Sequence, residues 1–279
     1  MRTTTAACCA LAAAALLATT ACGGPTHHAR TANPAANKAT PTPSTTKGAD
    51  PAASRAVAAM VARVAAKSSS RLVEIQHRTS GTVTMSGWQV WGSSGAALDF
   101  TVSPADLGMQ NLNHSSHMEM RTMDGSEYLS IDPVKSGAFK GKRWLRYSMA
   151  AVGGSGLTGA MDKAGRQSPI EALRAPAADG EVALVGRETM DGKPTTHYRA
   201  TVAADSDIVA LEDVPVTAQA DVWVGPDGYP VRYVWDDGKQ RNITDFQSFG
   251  GARTIRTPPA SDVIDTSNKA AASSAPPAG

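Results

Sequence analysis

The chain has 279 residues, with 27 Lys and Arg against 25 Asp and Glu, a formal net charge of +2. No basic run is sustained, which excludes a nucleic-acid partner, because phosphate binding demands a concentrated basic face. The three cysteines, Cys8, Cys9 and Cys22, lie together near the N-terminus, so no disulfide framework is available and a folded domain must rest on an ordinary apolar core, for which about two hundred residues suffice.

Taken in chain order, Arg2 supplies a positive n-region and Ala6 to Leu17 an apolar stretch too short to span a bilayer. Thr19-Thr20-Ala21-Cys22, followed by Gly23-Gly24, reads as a lipobox. It resembles the N-terminus of bacterial lipoproteins, with Thr19 where those usually carry Leu. The resemblance implies a signal peptide over residues 1–21, cleavage after Ala21 and a lipid-modified Cys22. Two or more acyl chains on that residue are enough for stable anchoring to the cell membrane, on its extracytoplasmic face. The alternative is an ordinary secretory signal that leaves Cys22 a free thiol.

Residues 22–49 are rich in Thr, Pro, Ala and Asn. Such a segment buries too little surface to offset its ordering entropy and is expected to be a disordered tether spanning roughly 30 Å. The Ala/Ser/Pro-rich residues 266–279 are expected to behave likewise. Between them, residues 50–265 are expected to form one domain.

That domain starts on a helix signal, Asp50 as N-cap and Pro51 at the first helical position. Val57, Met60, Val61 and Val64 then recur at the spacing of a single apolar face. Period-2 segments follow at Leu72 to His77, Thr82 to Ser86 and Ala97 to Val102, with Val83 and Met85, then Leu98 and Phe100, alternating to one side. His117 to Met123 joins Ser126 to Ile131 through the hairpin turn Asp124-Gly125, and Met118 and Met120 share one strand face. Gly153 to Gly159 reads as a glycine-rich loop, and Ser168-Pro169-Ile170-Glu171 as the capping box of a short helix. Strands resume at Glu181 to Thr189, Thr195 to Val202, Ala218 to Val224, Val231 to Trp235 and Arg241 to Phe249. Many hairpins and few helices predict an α+β fold, an antiparallel sheet, curved or partly closed, with helices covering one face.

No catalytic constellation is readable. Around Ser155 the sequence fails the nucleophile-elbow pattern at its last position, the histidines lie in unrelated contexts, and paired acids such as Asp236-Asp237 fall in turns. The chain is expected not to be an enzyme and to need no cofactor. His114 and His117, among Met109, Met118, Met120 and Met123, have the ligand types that suit copper, but methionine also fills irregular apolar interiors, and no metal site is assigned. Trp88, Trp91, Trp144, Trp223 and Trp235 suit either a ligand groove or packing, and packing is the expected role.

A run of motifs in the second half carries a family resemblance: Gly186 to Gly192, Thr196-His197-Tyr198, Val222-Trp223-Val224-Gly225-Pro226-Asp227-Gly228-Tyr229-Pro230-Val231-Arg232, and Pro259 to Val263. With Asp124-Gly125, Tyr128 and Trp144 in the first half, they resemble actinobacterial lipoproteins of the LppX/LprG type, which are similar in fold to LolA and LolB. The segment Asp205 to Pro215 departs from that pattern. The resemblance implies a curved antiparallel half-barrel whose concave face is closed by helices over an apolar cavity, and a lipid, lipoglycan or acyl-chain ligand. The cavity candidates are then Val57, Met60, Val61 and Val64 on the helix, facing Val83, Met85, Leu98, Phe100, Met118 and Met120 on the sheet. The alternative is an envelope protein-protein interaction module with a filled core.

Overall fold

The computed structural model describes residues 48–79, 81–92, 96–150, 166–203, 217–251 and 253–267. The signal segment, Cys22 and the tether up to residue 47, the Gly153 to Gly159 stretch, the Asp205 to Pro215 segment and the end of the tail lie outside them. Helix α1 (Pro51–Ala65) begins as its sequence predicts: the Asp50 carboxylate accepts from the Ala52 and Ala53 amides at 2.8 and 3.4 Å. A helix of this length is marginal alone in water. It is held by burial of Val57, Met60, Val61 and Val64, none more than 2% exposed, each contributing about 1.5–3 kcal/mol.

The strands are β1 (Ser69–Arg78), β2 (Gly81–Val90), β3 (Ala97–Val102), β4 (Met118–Met123), β5 (Ser126–Ser130), β6 (Trp144–Ser148), β7 (Ala183–Met190), β8 (Lys193–Ala203), β9 (Thr217–Val224), β10 (Pro230–Asp236), β11 (Arg241–Phe249) and β12 (Val263–Asp265). They form one sheet in the order β12-β6-β5-β4-β3-β2-β1-β11-β10-β9-β8-β7. All neighbours are antiparallel except β12 and β6, which run parallel. At the turns Asp124-Gly125 and Asp191-Gly192 both residues have positive φ, the geometry that matches the twist of two-residue hairpins. Strands β6 and β12 were not foreseen.

The core divides in two. In the first cluster α1 shares its stripe with Ile170 and Leu173, with Ala177 of α2 (Arg174–Ala178), and with Ala200, Ala220, Val222 and Tyr233 of β8 to β10. In the second, Leu72, Val83, Met85, Phe100, Met118, Met120 and Leu129 pack with Leu107 and Met109, which lie in the loop between β3 and β4. The helices cover one part of the sheet. Among the described residues they pack over the β8 to β10 half, and a loop covers the β1 to β5 half. Its turn is tied by Asn113, which donates to the Ser130 carbonyl at 3.2 Å and accepts from the Ser115 amide at 2.9 Å. Phe100 lies against β2 because Gly87 leaves room for it: a Cβ there would sit 2.0 Å from the Asp99 carbonyl oxygen.

The opposite face of the first half is crossed by the segment 253–262 on its way from β11 to β12. Arg253 reaches Asp99 at 3.2 Å and stacks over Trp88, while Arg121 donates to the Arg256 carbonyl at 3.1 Å and stacks over Trp144. Lys142 donates to the Ser261 and Val263 carbonyls at 3.0 and 2.7 Å, which fixes β12 beside β6.

One buried group stands out in energy. Glu127 on β5 is 3% exposed, with one carboxyl oxygen lacking a hydrogen-bond partner, and burial pushes its pKa up to about 8. Between its ordinary value of 4.5 and about 8 the unfolded chain ionises while the fold keeps the proton, so stability falls as pH rises through that window. The slope from this one group is about 1.4 kcal/mol per pH unit. Chemical denaturation of Glu127→Gln is expected to show that slope removed, with the variant more stable than wild type at pH 8 by a few kcal/mol, on the order of the shift itself. Parallel profiles for the two proteins would show that the carboxyl is solvated.

Candidate functional site

The ten apolar candidates fall on both sides of the core division. Val57, Met60, Val61 and Val64 belong to the α1 cluster; Val83, Met85, Phe100, Met118 and Met120 belong to the other, with Leu98 packed at its edge. The helix stripe and the β2 to β4 residues therefore do not meet across a shared space. All but Leu98 are 4% exposed or less. Met60 also borders a hollow of about 230 Å³, beside Arg63 and Tyr198.

A larger cleft of about 470 Å³ adjoins it at Gly225, within the range of small-molecule sites. Its floor is aromatic. Phe246 stacks on Phe249 and Phe249 on Tyr229, each pair with ring centres 5.0 Å apart. Two elements supply these rings, the end of β11 and the β9 to β10 turn, and the residues after α1 add Lys67 beside them. The turn is built by its own side chain, Asp227 accepting from the Tyr229 amide at 3.1 Å. Arg63 and Lys67, one helical turn apart, stand 5.5 and 5.8 Å from the Tyr229 ring centre. Lys193 stands in the wall, and Asp227 is the one carboxylate among the lining residues.

Tyr229, Phe246, Phe249 and Lys67 escaped the sequence reading, although Tyr229 sits in the quoted motif. The available signal was that motif itself, a Pro-Asp-Gly turn ending on an aromatic residue. Reading it as a turn alone left its side chain without a role.

The most connected polar group lies elsewhere, on β7 to β9. His197 is buried, its Nδ1 2.9 Å from Glu188 and its Nε2 2.6 Å from Asp221, and its ring stacks on Trp223 at 4.1 Å. Arg199 and Gln219 also donate to Asp221 at 2.7 Å. Burial raises the Asp221 carboxyl, but the hydrogen bonds from His197 and Arg199 outweigh it and hold the group below its ordinary range. Both ring nitrogens of His197 face carboxylates, so neither is placed to take a proton from a nucleophile. The nearby Thr195 hydroxyl donates to the Glu188 carbonyl.

His114 pairs with Asp132 at 2.5 Å and His117 with the neighbouring Ser116. Among the described residues no three His, Cys, Asp or Glu side chains gather as ion ligands, and no helix is long and apolar enough to cross a membrane. Among the described residues the tryptophans have separate surroundings: Trp91 is core and donates to the Ala65 carbonyl at 3.4 Å, Trp88 and Trp144 carry the arginines, Trp223 covers His197, and Trp235 packs against the first cluster.

No family profile matches the chain. It is similar to an uncharacterized 31.2 kDa Streptomyces griseus protein from the rplA-rplJ intergenic region, 26% identical over 204 residues, covering 64% of this chain and 66% of that protein. It is also similar to a putative lipoprotein of Streptomyces coelicolor, 24% identical over 187 residues, covering 64% of this chain and 61% of the relative. The matches thus span somewhat under two thirds of both relatives. Among solved structures, the Mycobacterium tuberculosis lipoprotein LppX aligns with a TM-score of 0.48 and 14% identity, covering 74% of this chain and all of LppX. LppX is one of the actinobacterial lipoproteins that the sequence motifs resemble.

The geometry of the β9 to β10 turn yields an expected outcome. Gly228 has φ +77°, and a Cβ there would lie 3.3 Å from the Arg63 Nε. Gly228→Ala combines a disfavoured backbone with that contact and is expected to lower stability by about 1–2 kcal/mol, read as a lower urea midpoint at unchanged slope. An unchanged midpoint would mean that the turn and Arg63 move apart freely.

Proposed function

We propose that this chain is a non-enzymatic lipoprotein of the cell envelope, anchored through an acylated Cys22 on the extracytoplasmic face and held off the membrane by residues 22–49. Its domain, residues 50–265, binds an amphiphile as carrier or sensor. The observation that carries this reading is the aromatic cleft: three stacked rings offer an apolar floor in an accessible hollow, and each methylene of an acyl chain laid there contributes about 0.8 kcal/mol. The adjoining hollow at Met60 extends the floor. The other apolar candidates lie in the packed interior, in two separate clusters, and do not line the cleft. A putative lipoprotein among the relatives supports the anchor.

The second reading, a protein-interaction module with a filled core, is favoured by one observation, the near-complete burial of nine of those ten candidates. Mass spectrometry of organic extracts from the purified protein separates the two. The amphiphile reading expects a co-purifying lipid whose amount falls sharply in Phe249→Ala. It expects Met118→Trp, an overpacking change, to cost about 1–3 kcal/mol of stability and leave loading unchanged. Extracts free of amphiphile from wild type would favour the interaction module.

Anchoring is tested separately. Cys22→Ala protein is expected to be released into the medium or left unprocessed; Cys22→Ala protein that stays processed and membrane-bound would overturn the lipobox reading.

A further inference from the structure

We infer that the aromatic cleft selects amphiphiles with an anionic head group, held by Lys67 and Lys193 in its lining with Arg63 in the adjoining hollow, while the chain lies on Phe246, Phe249 and Tyr229. The inference rests on the amphiphile reading and adds the chemistry of the head. Among the described residues no carboxylate forms an ion pair with any of the three cations. Two of them come from one element. Arg63 closes the last turn of α1 and Lys67 follows it, where the helix carbonyls favour positive charge whatever else is present.

Lys193 is different. It starts β8, far from that helix end in sequence, yet it lines the same cleft as Lys67. Helix electrostatics gives no reason for a cation there. The wall's single carboxylate, Asp227, accepts the Tyr229 amide through Oδ1, and with Lys67 and Lys193 against it the lining stays positive by one charge. The stem of Lys67 runs past Gly250, where a Cβ would lie 3.4 Å from Lys67 Cδ, and its ammonium reaches the Tyr229 ring. Cationic heads are thus arranged around a floor that is itself apolar.

That juxtaposition fits a molecule with one anionic group beside a hydrocarbon chain. A phosphate or carboxylate placed between Lys67 and Lys193 accepts charge-assisted hydrogen bonds from both, while the chain lies against the aromatic side chains that line the cleft. A neutral head gains the second part alone. The lysines are exposed, so the gain is moderate and is screened by salt.

The test uses isothermal titration of the purified Cys22→Ala protein with three monomeric probes that share one acyl chain: lysophosphatidylglycerol, lysophosphatidylcholine and monoacylglycerol. Inorganic phosphate is the fourth titrant. The expected result is about tenfold tighter binding of lysophosphatidylglycerol than of monoacylglycerol at low salt, a gap that narrows as salt is raised, with no heat from phosphate alone. Lys67→Gln/Lys193→Gln is expected to bring the two affinities together without weakening the neutral probe, and Phe249→Ala to weaken every probe. Thermal melts confirm that the surface double variant folds. Equal affinity of the wild type for anionic and neutral probes, or a preference that survives in the double variant, overturns the charge inference and leaves the amphiphile reading standing. Phosphate binding as tightly as the lipid also overturns it, since the cleft would then be a free-anion site. If no probe binds, the amphiphile reading falls and the inference with it.

Discussion

The rest of the molecule depends on the double pairing of β1. Its full length pairs with β2 on one edge, from Ser69 opposite Val90 to Arg78 opposite Gly81, and with β11 on the other, from Ser70 opposite Phe249 to His77 opposite Arg241. Apart from β12, each half of the sheet is otherwise a run of antiparallel sequence neighbours that buries its own cluster. Through β1 the two become one surface, and the strand's register decides which side chains of β2 stand beside which of β11. The aromatic cleft follows directly: Phe249 sits opposite Ser70, three residues beyond Lys67, so the end of α1 is brought to the end of β11 by this pairing.

Where the two clusters meet, β1 is polar. Glu74 accepts from Gln76 at 2.6 Å, and Gln76 accepts from Arg78. Burial raises the Glu74 carboxyl against the opposing pull of Gln76 and Arg78, and it lowers the Arg78 guanidinium. Buried polar groups cost free energy unless paired with one another. Gln76 is buried and Glu74 and Arg78 are half-buried, and their mutual hydrogen bonds offset that cost along this polar band of β1. Phe246 bridges the band at one end, being packed against both clusters.

Local chemistry was legible in the sequence, and long-range company was not. Asp50 and Pro51 name the start of α1 without reference to anything distant, and Asp124-Gly125 and Asp191-Gly192 name their hairpins for the same reason. Period-2 alternation placed Ala97 to Val102 and Arg241 to Phe249 where the strands lie. The Val57 to Val64 stripe and the Met118 and Met120 face are apolar as read, but alternation states which face of an element is buried and never which other face it meets. They were accordingly paired with each other, whereas the fold gives each a different partner. Val263–Asp265 is too short to show any period, and it becomes a strand through Lys142 and the β6 edge. The cleft was hidden for the same reason as the two clusters: its rings and cations come from segments up to roughly 180 positions apart, joined by pairing that no local pattern encodes.

The β1 to β11 ladder also sets an order of events when the chain folds. Strands β2 to β5 pair with their sequence neighbours, and so do β7 to β11, so either half can gather early at low loop-closure cost. Joining β1 to β11 closes a loop of most of the domain and is the slow, entropically expensive step. Until it happens β1 presents an open edge, the kind that invites pairing with another chain. Because a chain is synthesised from its N-terminus, that edge emerges long before its partner. The time between the two is a window in which the chain needs protection from its neighbours, and the length of the segment between β1 and β11 determines how wide that window is.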